Sequence, residues 1–141
     1  MGQLSRQGKK YLPLRQLALS LVSRNGQKDW IGEIKNLHAF VRDKIRYVRD
    51  IRGVETISAV DRILESGQGD CDDKSVLLAA LLESIGHPAR FVAIKLGGDE
   101  YEHVYVETRV GNGKWISLET TEPVEIGWEP PGVTQRLVYY V

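Results

Sequence analysis

The chain has 141 residues, 19 basic and 19 acidic, so its formal charge is zero, and 42% of its residues are hydrophobic. That is enough for one domain, residues 1–141, whose core needs no metal or disulfide staple. A single cysteine excludes an internal disulfide and favours a reducing, cytoplasmic setting, while no apolar run approaches membrane-spanning length. Basic residues gather in the N-terminal half, and acidic ones around Asp70 to Asp73, Asp99 to Glu102 and Glu119 to Glu129. Without a dense basic arm or a nucleic-acid motif, neither a nucleic acid nor a membrane is expected as a partner. Met1-Gly2-Gln3 begins no signal-peptide stretch, and Arg6 stands where a myristoylation signal has Ser or Thr.

Residues 1–28 read as an N-terminal helical extension. Pro13 fits a first helical turn, Leu14, Leu17, Ala18, Leu21 and Val22 follow at helical spacing, and Asn25-Gly26 ends the segment. A second helix is expected from Asp29 or Trp30 to about Val48, with Ile34, Leu37, Val41 and Ile45 in one stripe. His38 lies beside that stripe and reads as a packing or hydrogen-bonding residue. Residues 51–69 form a connection with a short helix around Ala59, Val60, Ile63 and Leu64. After Gly69, Asp70 can cap a third major helix and Asp73 can complete a capping box. Leu77, Leu78, Leu81, Leu82 and Ile85 supply its buried face, and Gly86 and Pro88 its stop.

The pattern then changes from period 3.6 to period two. Strands are expected over Ala89 to Leu96, His103 to Val110 and Trp115 to Glu119, the last two joined as a hairpin by Gly111-Asn112-Gly113. Ile116 and Leu118 fall on one face, Trp115, Ser117 and Glu119 on the other. Glu129-Pro130-Pro131-Gly132 interrupts regular structure, so residues 122–141 become a tail that adds an edge strand or acts as a binding arm. Helices followed by antiparallel strands imply an α+β fold with N-terminal helices packed against the sheet.

Cys71 stands at the start of the third helix, where unpaired backbone N–H groups favour a thiolate and an incoming oxyanion. His103 and Glu119 lie at similar distances from the hairpin turn, which brings them within cross-strand reach. A thiol, an imidazole and a carboxylate are the groups that acyl transfer requires. Asp70, Asp72 and Asp73 oppose thiolate formation unless they are committed elsewhere; capping would occupy Asp70 and Asp73 and leave Asp72 or Lys74 to meet solvent, substrate or an ion-pair partner. His87, between Gly86 and Pro88, reads as a helix-exit residue. Three scattered histidines and one cysteine make no zinc pattern, the aspartates no EF-hand, and no metal or cofactor is expected. Trp30, Trp115 and Trp128 are candidates for a substrate groove, although Trp115 first reads as strand packing.

Gly69-Asp70-Cys71-Asp72-Asp73-Lys74-Ser75-Val76-Leu77-Leu78-Ala79-Ala80-Leu81-Leu82, with Gly86-His87-Pro88-Ala89-Arg90 after it, resembles the nucleophile helix of the transglutaminase-like superfamily. His103-Val104-Tyr105-Val106-Glu107 is similar to its histidine strand, and Trp115-Ile116-Ser117-Leu118-Glu119-Thr120-Thr121 to the strand that normally carries an aspartate. These motifs make 69–121 the motif-bearing core. The resemblance implies a papain-like core with Cys71 as nucleophile, His103 as base and Glu119, in place of aspartate, as third member. It implies amide chemistry through a Cys71 thioester, either hydrolysis or transfer to an amine, on a peptide or protein substrate. Tyr47, Asp72 and Trp115 are candidates for the oxyanion or substrate site. Lys28-Asp29-Trp30, Tyr47-Val48-Arg49-Asp50 and Gly127-Trp128-Glu129-Pro130-Pro131-Gly132-Val133 also resemble small tailed-phage or Mu-like prophage proteins. That likeness implies a virion or host protein as substrate and a virion-associated location. The competing reading is a non-catalytic assembly module that keeps the fold.

Overall fold

The helix that begins at Cys71 is apolar on almost every side, so it can only be stable when surrounded. In the computed structural model, which describes residues 1–49 and 60–140, this helix is α5, Cys71–Ser84, preceded by α1 (Gly2–Lys9), α2 (Leu12–Val22), α3 (Trp30–Lys44) and α4 (Val60–Ser66). All four earlier helices pack on α5, and a sheet covers its remaining side. Val76 through Leu82 are fully buried. The first part of the connection expected from Ile51 to Gly69 lies outside the described residues; its short helix is α4.

Local chemistry starts and stops α5 where the sequence predicts. Asp73 N–H donates to Asp70 Oδ1 at 2.9 Å and Asp70 N–H to Asp73 Oδ2 at 3.2 Å, the two halves of a capping box. The Asp73 side chain folds back so closely that a Cβ on Gly69 would lie 2.6 Å from Asp73 Cβ, which is why residue 69 has no side chain. Gly86 leaves the helix at φ +91°, a conformation that strains any residue with a Cβ.

One boundary departs from the sequence reading. α3 ends at Lys44, not near Val48. Ile45 turns extended, and the next two residues form β1 (Arg46–Tyr47), paired in parallel with β2 (Gln68–Gly69) through Arg46 N–H to Gly67 O at 2.8 Å and Val48 N–H to Gly69 O at 2.9 Å. Local periodicity cannot report a bridge to a segment more than twenty residues away. Within the expected helical extension, α1 has no apolar stripe. It packs through small residues: Ser5 is fully buried with its hydroxyl donating to Val76 O at 3.3 Å, and Gly8 lies against Val60 and Ala80.

The main sheet has the order β5-β4-β3-β6, all antiparallel, from β3 (Ala89–Lys95), β4 (His103–Thr108), β5 (Ile116–Leu118) and β6 (Gln135–Tyr140). Period two separates its faces. Phe91, Val104, Val106 and Leu118 join the core against α5, while Val92, Ile94 and Tyr105 form a second cluster with Val133 and Val138. The hairpin register pairs Val106 with Leu118 and Thr108 with Ile116, and Gly111 turns at φ +57°. The tail residues 135–140 are the edge strand, antiparallel to β3. The described residues thus form an α+β fold of helices packed on an antiparallel sheet.

Candidate active site

Three elements converge at the N-terminus of α5. Ser75, one turn past Cys71, donates its hydroxyl to Val104 O at 3.4 Å, which ties the helix start to the beginning of β4. His103 is the first residue of β4, and Glu119 follows β5 on the neighbouring strand. By the register of Val106 with Leu118, Glu119 lies on the diagonal from His103, a spacing that long side chains can bridge.

The His103 ring joins the other two groups. Its Nε2 lies 2.6 Å from Glu119 Oε2, and the ring also interacts with the partly exposed Cys71 thiol, which raises its pKa and for which Nδ1 remains. Burial by itself would depress the imidazole pKa. The hydrogen bonds to Cys71 and Glu119, together with their charges, overcome it and push the value up to about 10. Glu119 is 1% exposed, and burial alone would raise its pKa; hydrogen bonds and charge from His103, with the Thr121 donors, hold it below the ordinary carboxylate value. Its second oxygen, Oε1, accepts from Thr121 N–H at 3.0 Å and Thr121 Oγ1 at 2.8 Å. The extra methylene of glutamate relative to aspartate is therefore accommodated, with both carboxylate oxygens occupied.

Behind Glu119 the helices fix its backbone. His38, buried on α3, places Nε2 2.6 Å from Glu119 O; burial lowers its pKa, so the neutral ring donates Nε2–H to that carbonyl. The expectation of a hydrogen-bonding role for His38 holds, and its partner is part of the site. Lys74, by contrast, does not meet solvent. It is 1% exposed, with Nζ donating to Ile45 O at 2.8 Å and Arg42 O at 3.4 Å, and so satisfies carbonyls at the end of α3. Burial brings its pKa down to about 8 against the opposing charges of Glu119 and Asp43.

The remaining candidates separate. The β1–β2 bridge sets Tyr47 beside Gly69, two residues before Cys71; its phenol pKa is raised by burial and then by the charge of Cys71. Trp115 does not line the groove beside His103; its ring instead meets the guanidinium groups of Arg90, 4.1 Å from the centroid, and Arg109, at 4.7 Å. Period two puts Trp115 on the sheet beside these long basic side chains, and cation–π stacking holds it there. Asp72 is not among the residues lining the groove beside His103; its charge instead reaches Tyr139 of β6, whose pKa is raised first by burial and then by Asp72 and Cys71. That groove has a volume of about 920 Å³ and is lined by His103, Glu119, Tyr47 and Trp128 among others. Trp30 packs edge-on against His87, which pairs through Nε2 with Glu33 at 2.8 Å.

Thr121 is the residue that sequence reasoning missed; the adjacent Thr-Thr pair directly after the carboxylate is the one signal by which it could have been found. Among the described residues, no group of three or more His, Cys, Asp or Glu side chains is arranged to hold a metal ion, and no helix is long and apolar enough to cross a membrane.

A thiol at a helix N-terminus, an imidazole on the first residue of a strand and a carboxylate on the next strand define a papain-like arrangement. The sequence matches the transglutaminase-like superfamily over residues 15–120, and the chain belongs to that superfamily. No sequence among curated proteins matches it. Solved structures share the fold at low identity. Calcium-bound LapG from Legionella pneumophila superposes with a TM-score of 0.67 at 13% identity, over 94% of this chain and 79% of LapG. A candidate cysteine protease from Cytophaga hutchinsonii gives 0.62 at 16%, over 92% of this chain and 46% of its own. A structure described for DNA duplex opening by the Rad4/XPC nucleotide excision repair complex gives 0.59 at 14%, over 89% and 38%. The chain thus spans less than half the length of the last two.

Proposed function

We propose that this protein is a thiol-dependent enzyme that cleaves or transfers a peptide or protein amide through a Cys71 thioester. The observation that carries this reading is the single imidazole, His103, hydrogen-bonded to the buried Glu119 carboxylate and under the direct electrostatic influence of the Cys71 thiol. In this reading the ring, whose pKa is raised by Cys71 and Glu119 together, is protonated and pairs with Cys71 as the attacking thiolate. The thiolate adds to the amide carbon, and the Cys71 N–H at the first turn of α5, which has no acceptor among the described residues, faces the resulting oxyanion. As the C–N bond breaks, His103 gives its proton to the leaving amine. The neutral ring then takes a proton from water or from a second amine as that nucleophile attacks the thioester, and release of the acid or the new amide restores thiolate and imidazolium. Tyr47, whose backbone pairs beside Gly69, is our candidate for contact with the acyl group. LapG and the Cytophaga protein add support at the level of fold.

The three segments similar to tailed-phage and Mu-like prophage proteins add a setting, in which the substrate is a virion or host protein and the enzyme is cytoplasmic or virion-associated. A second reading, a non-catalytic assembly module, draws on the Rad4/XPC structure, where the same fold occurs in a DNA-repair complex.

Incubation with p-nitrophenyl acetate separates these readings. The enzyme reading gives a burst of nitrophenolate, an acetyl adduct localised to Cys71 by mass spectrometry, and loss of both in Cys71→Ala. An alkylatable Cys71 that shows no acyl adduct, and whose reactivity is the same in His103→Ala, supports the module.

A further inference from the structure

The groove beside His103 differs in charge from the molecule as a whole. The chain has zero formal charge, yet the groove lining includes Asp99, Glu100, Glu102 and Glu122 against a single guanidinium, Arg49, once the His103–Glu119 pair is set aside. None of these four carboxylates has an ion-pair partner among the described residues, whereas the partly or fully buried Glu33, Glu83, Glu107 and Glu119 all do. Such a concave surface concentrates negative potential that isolated exposed carboxylates would not sustain.

Their positions matter as much as their sign. Asp99, Glu100 and Glu102 belong to the β3–β4 loop that delivers His103, with Glu102 its immediate neighbour; Glu122 follows Thr121, which holds Glu119. The two acidic segments therefore flank the imidazole. The groove also presents aromatic surface: Tyr47, Tyr101 and Trp128 line it and are 44%, 39% and 37% exposed. Tyr101 already takes an ammonium group on its ring, Lys95 Nζ lying 4.9 Å from the centroid. Exposed aromatic faces together with unpaired carboxylates suit a long cationic side chain, whose stem packs on the rings while its head meets the acids.

We infer that this groove selects a polypeptide segment carrying lysine or arginine beside the amide to be cleaved or transferred, which rests on the thiol reading above. Glu102 and Glu122 are its specificity-determining residues. An acidic segment is repelled, and a neutral one is bound without the charge contribution.

Peptidyl acyloxymethyl ketones provide the test, because they alkylate the thiol only after the peptide is seated. A series carries Lys, Leu or Glu at each of the first three positions from the reactive carbon, and each rate is divided by that of iodoacetamide on the same variant. The expected result is at least a tenfold preference for Lys over Glu at one position at low salt. It shrinks in 1 M NaCl, where the screening length falls to about 3 Å, and is reduced severalfold in Glu102→Gln/Glu122→Gln. Equal normalised rates for Lys and Glu, a preference for Glu, or an unchanged ratio in the double variant would overturn the inference while leaving the nucleophile reading intact. Failure of both iodoacetamide and every ketone to label Cys71 of the folded protein would overturn both.

Discussion

Glu119→Gln keeps the volume of a side chain that is 1% exposed and removes its charge. Thr121 presents two donors to Oε1, its N–H at 3.0 Å and its hydroxyl at 2.8 Å, so the glutamine carbonyl is held there and its NH₂ turns toward His103 Nε2. Two donors cannot share that contact. The imidazolium therefore loses the acceptor of its Nε2 proton, and once neutral the ring keeps its remaining proton on Nδ1, the nitrogen that faces Cys71, where it can no longer accept the thiol proton. A hydrogen bond to a charged partner contributes about 1.5–3 kcal/mol, and about 1.4 kcal/mol corresponds to one pH unit. The His103 titration should therefore fall by about one to two units from its starting value near 10. Acylation of Cys71 should slow by about 10³- to 10⁴-fold, the order of loss when a triad carboxylate becomes an amide. Proton NMR of the His103 ring follows the first quantity and the p-nitrophenyl acetate burst the second. A His103 ring that still titrates near 10 in the variant would refute the argument that Glu119 holds its proton.

The pH dependence of stability has two opposing parts. His103 has a folded pKa of about 10 above its ordinary 6.5, so its contribution is fully present below about pH 6.5 and is lost as pH rises through about 10. Lys74, at about 8 against an ordinary 10.5, does the reverse: its burial is most costly below pH 8 and is relieved as pH approaches 10.5. Denaturant midpoints measured across this range should fall more steeply with pH in Lys74→Met than in the parent, and the His103-dependent decline should vanish in His103→Gln. Gly8→Ala gains about 1 kcal/mol of helix propensity but places a Cβ 2.5 Å from Val60 Cγ2 and 3.1 Å from Ala80 Cβ, a crowding that costs about 1–3 kcal/mol. Its urea midpoint should drop. Asp70→Ala removes the side-chain acceptor of the capping box and should lower stability by about 1 kcal/mol, with a parallel change in the iodoacetamide rate of Cys71 as the helix start loosens.

Residue pattern alone determined a large share of this protein. The capping box of Asp70 and Asp73, the Gly86 exit, the hairpin at Gly111 and the alternation that puts Ile116 and Leu118 on the core face are all set by near neighbours, and near neighbours are what a linear pattern records. The pairing of His103 with Glu119 was legible for the same reason, since a short hairpin fixes which residues lie across from each other. Other features depend on contacts between distant segments. The parallel bridge of Arg46 and Tyr47 with Gln68 and Gly69 ends α3 early, and a buried Lys74 caps it, against every local expectation for a charged residue in an acidic run. Trp115 and Asp72 do not line the groove: the Trp115 ring meets the guanidinium groups of Arg90 and Arg109, and the charge of Asp72 acts on Tyr139 of β6. Tertiary packing likewise brought His38 to the Glu119 carbonyl, whereas Thr121 holds the carboxylate from two residues along the same segment. Where the sequence supplied a thiol, an imidazole and a carboxylate, the fold decided their hydrogen-bond partners, and those partners set the protonation state on which the proposed chemistry depends.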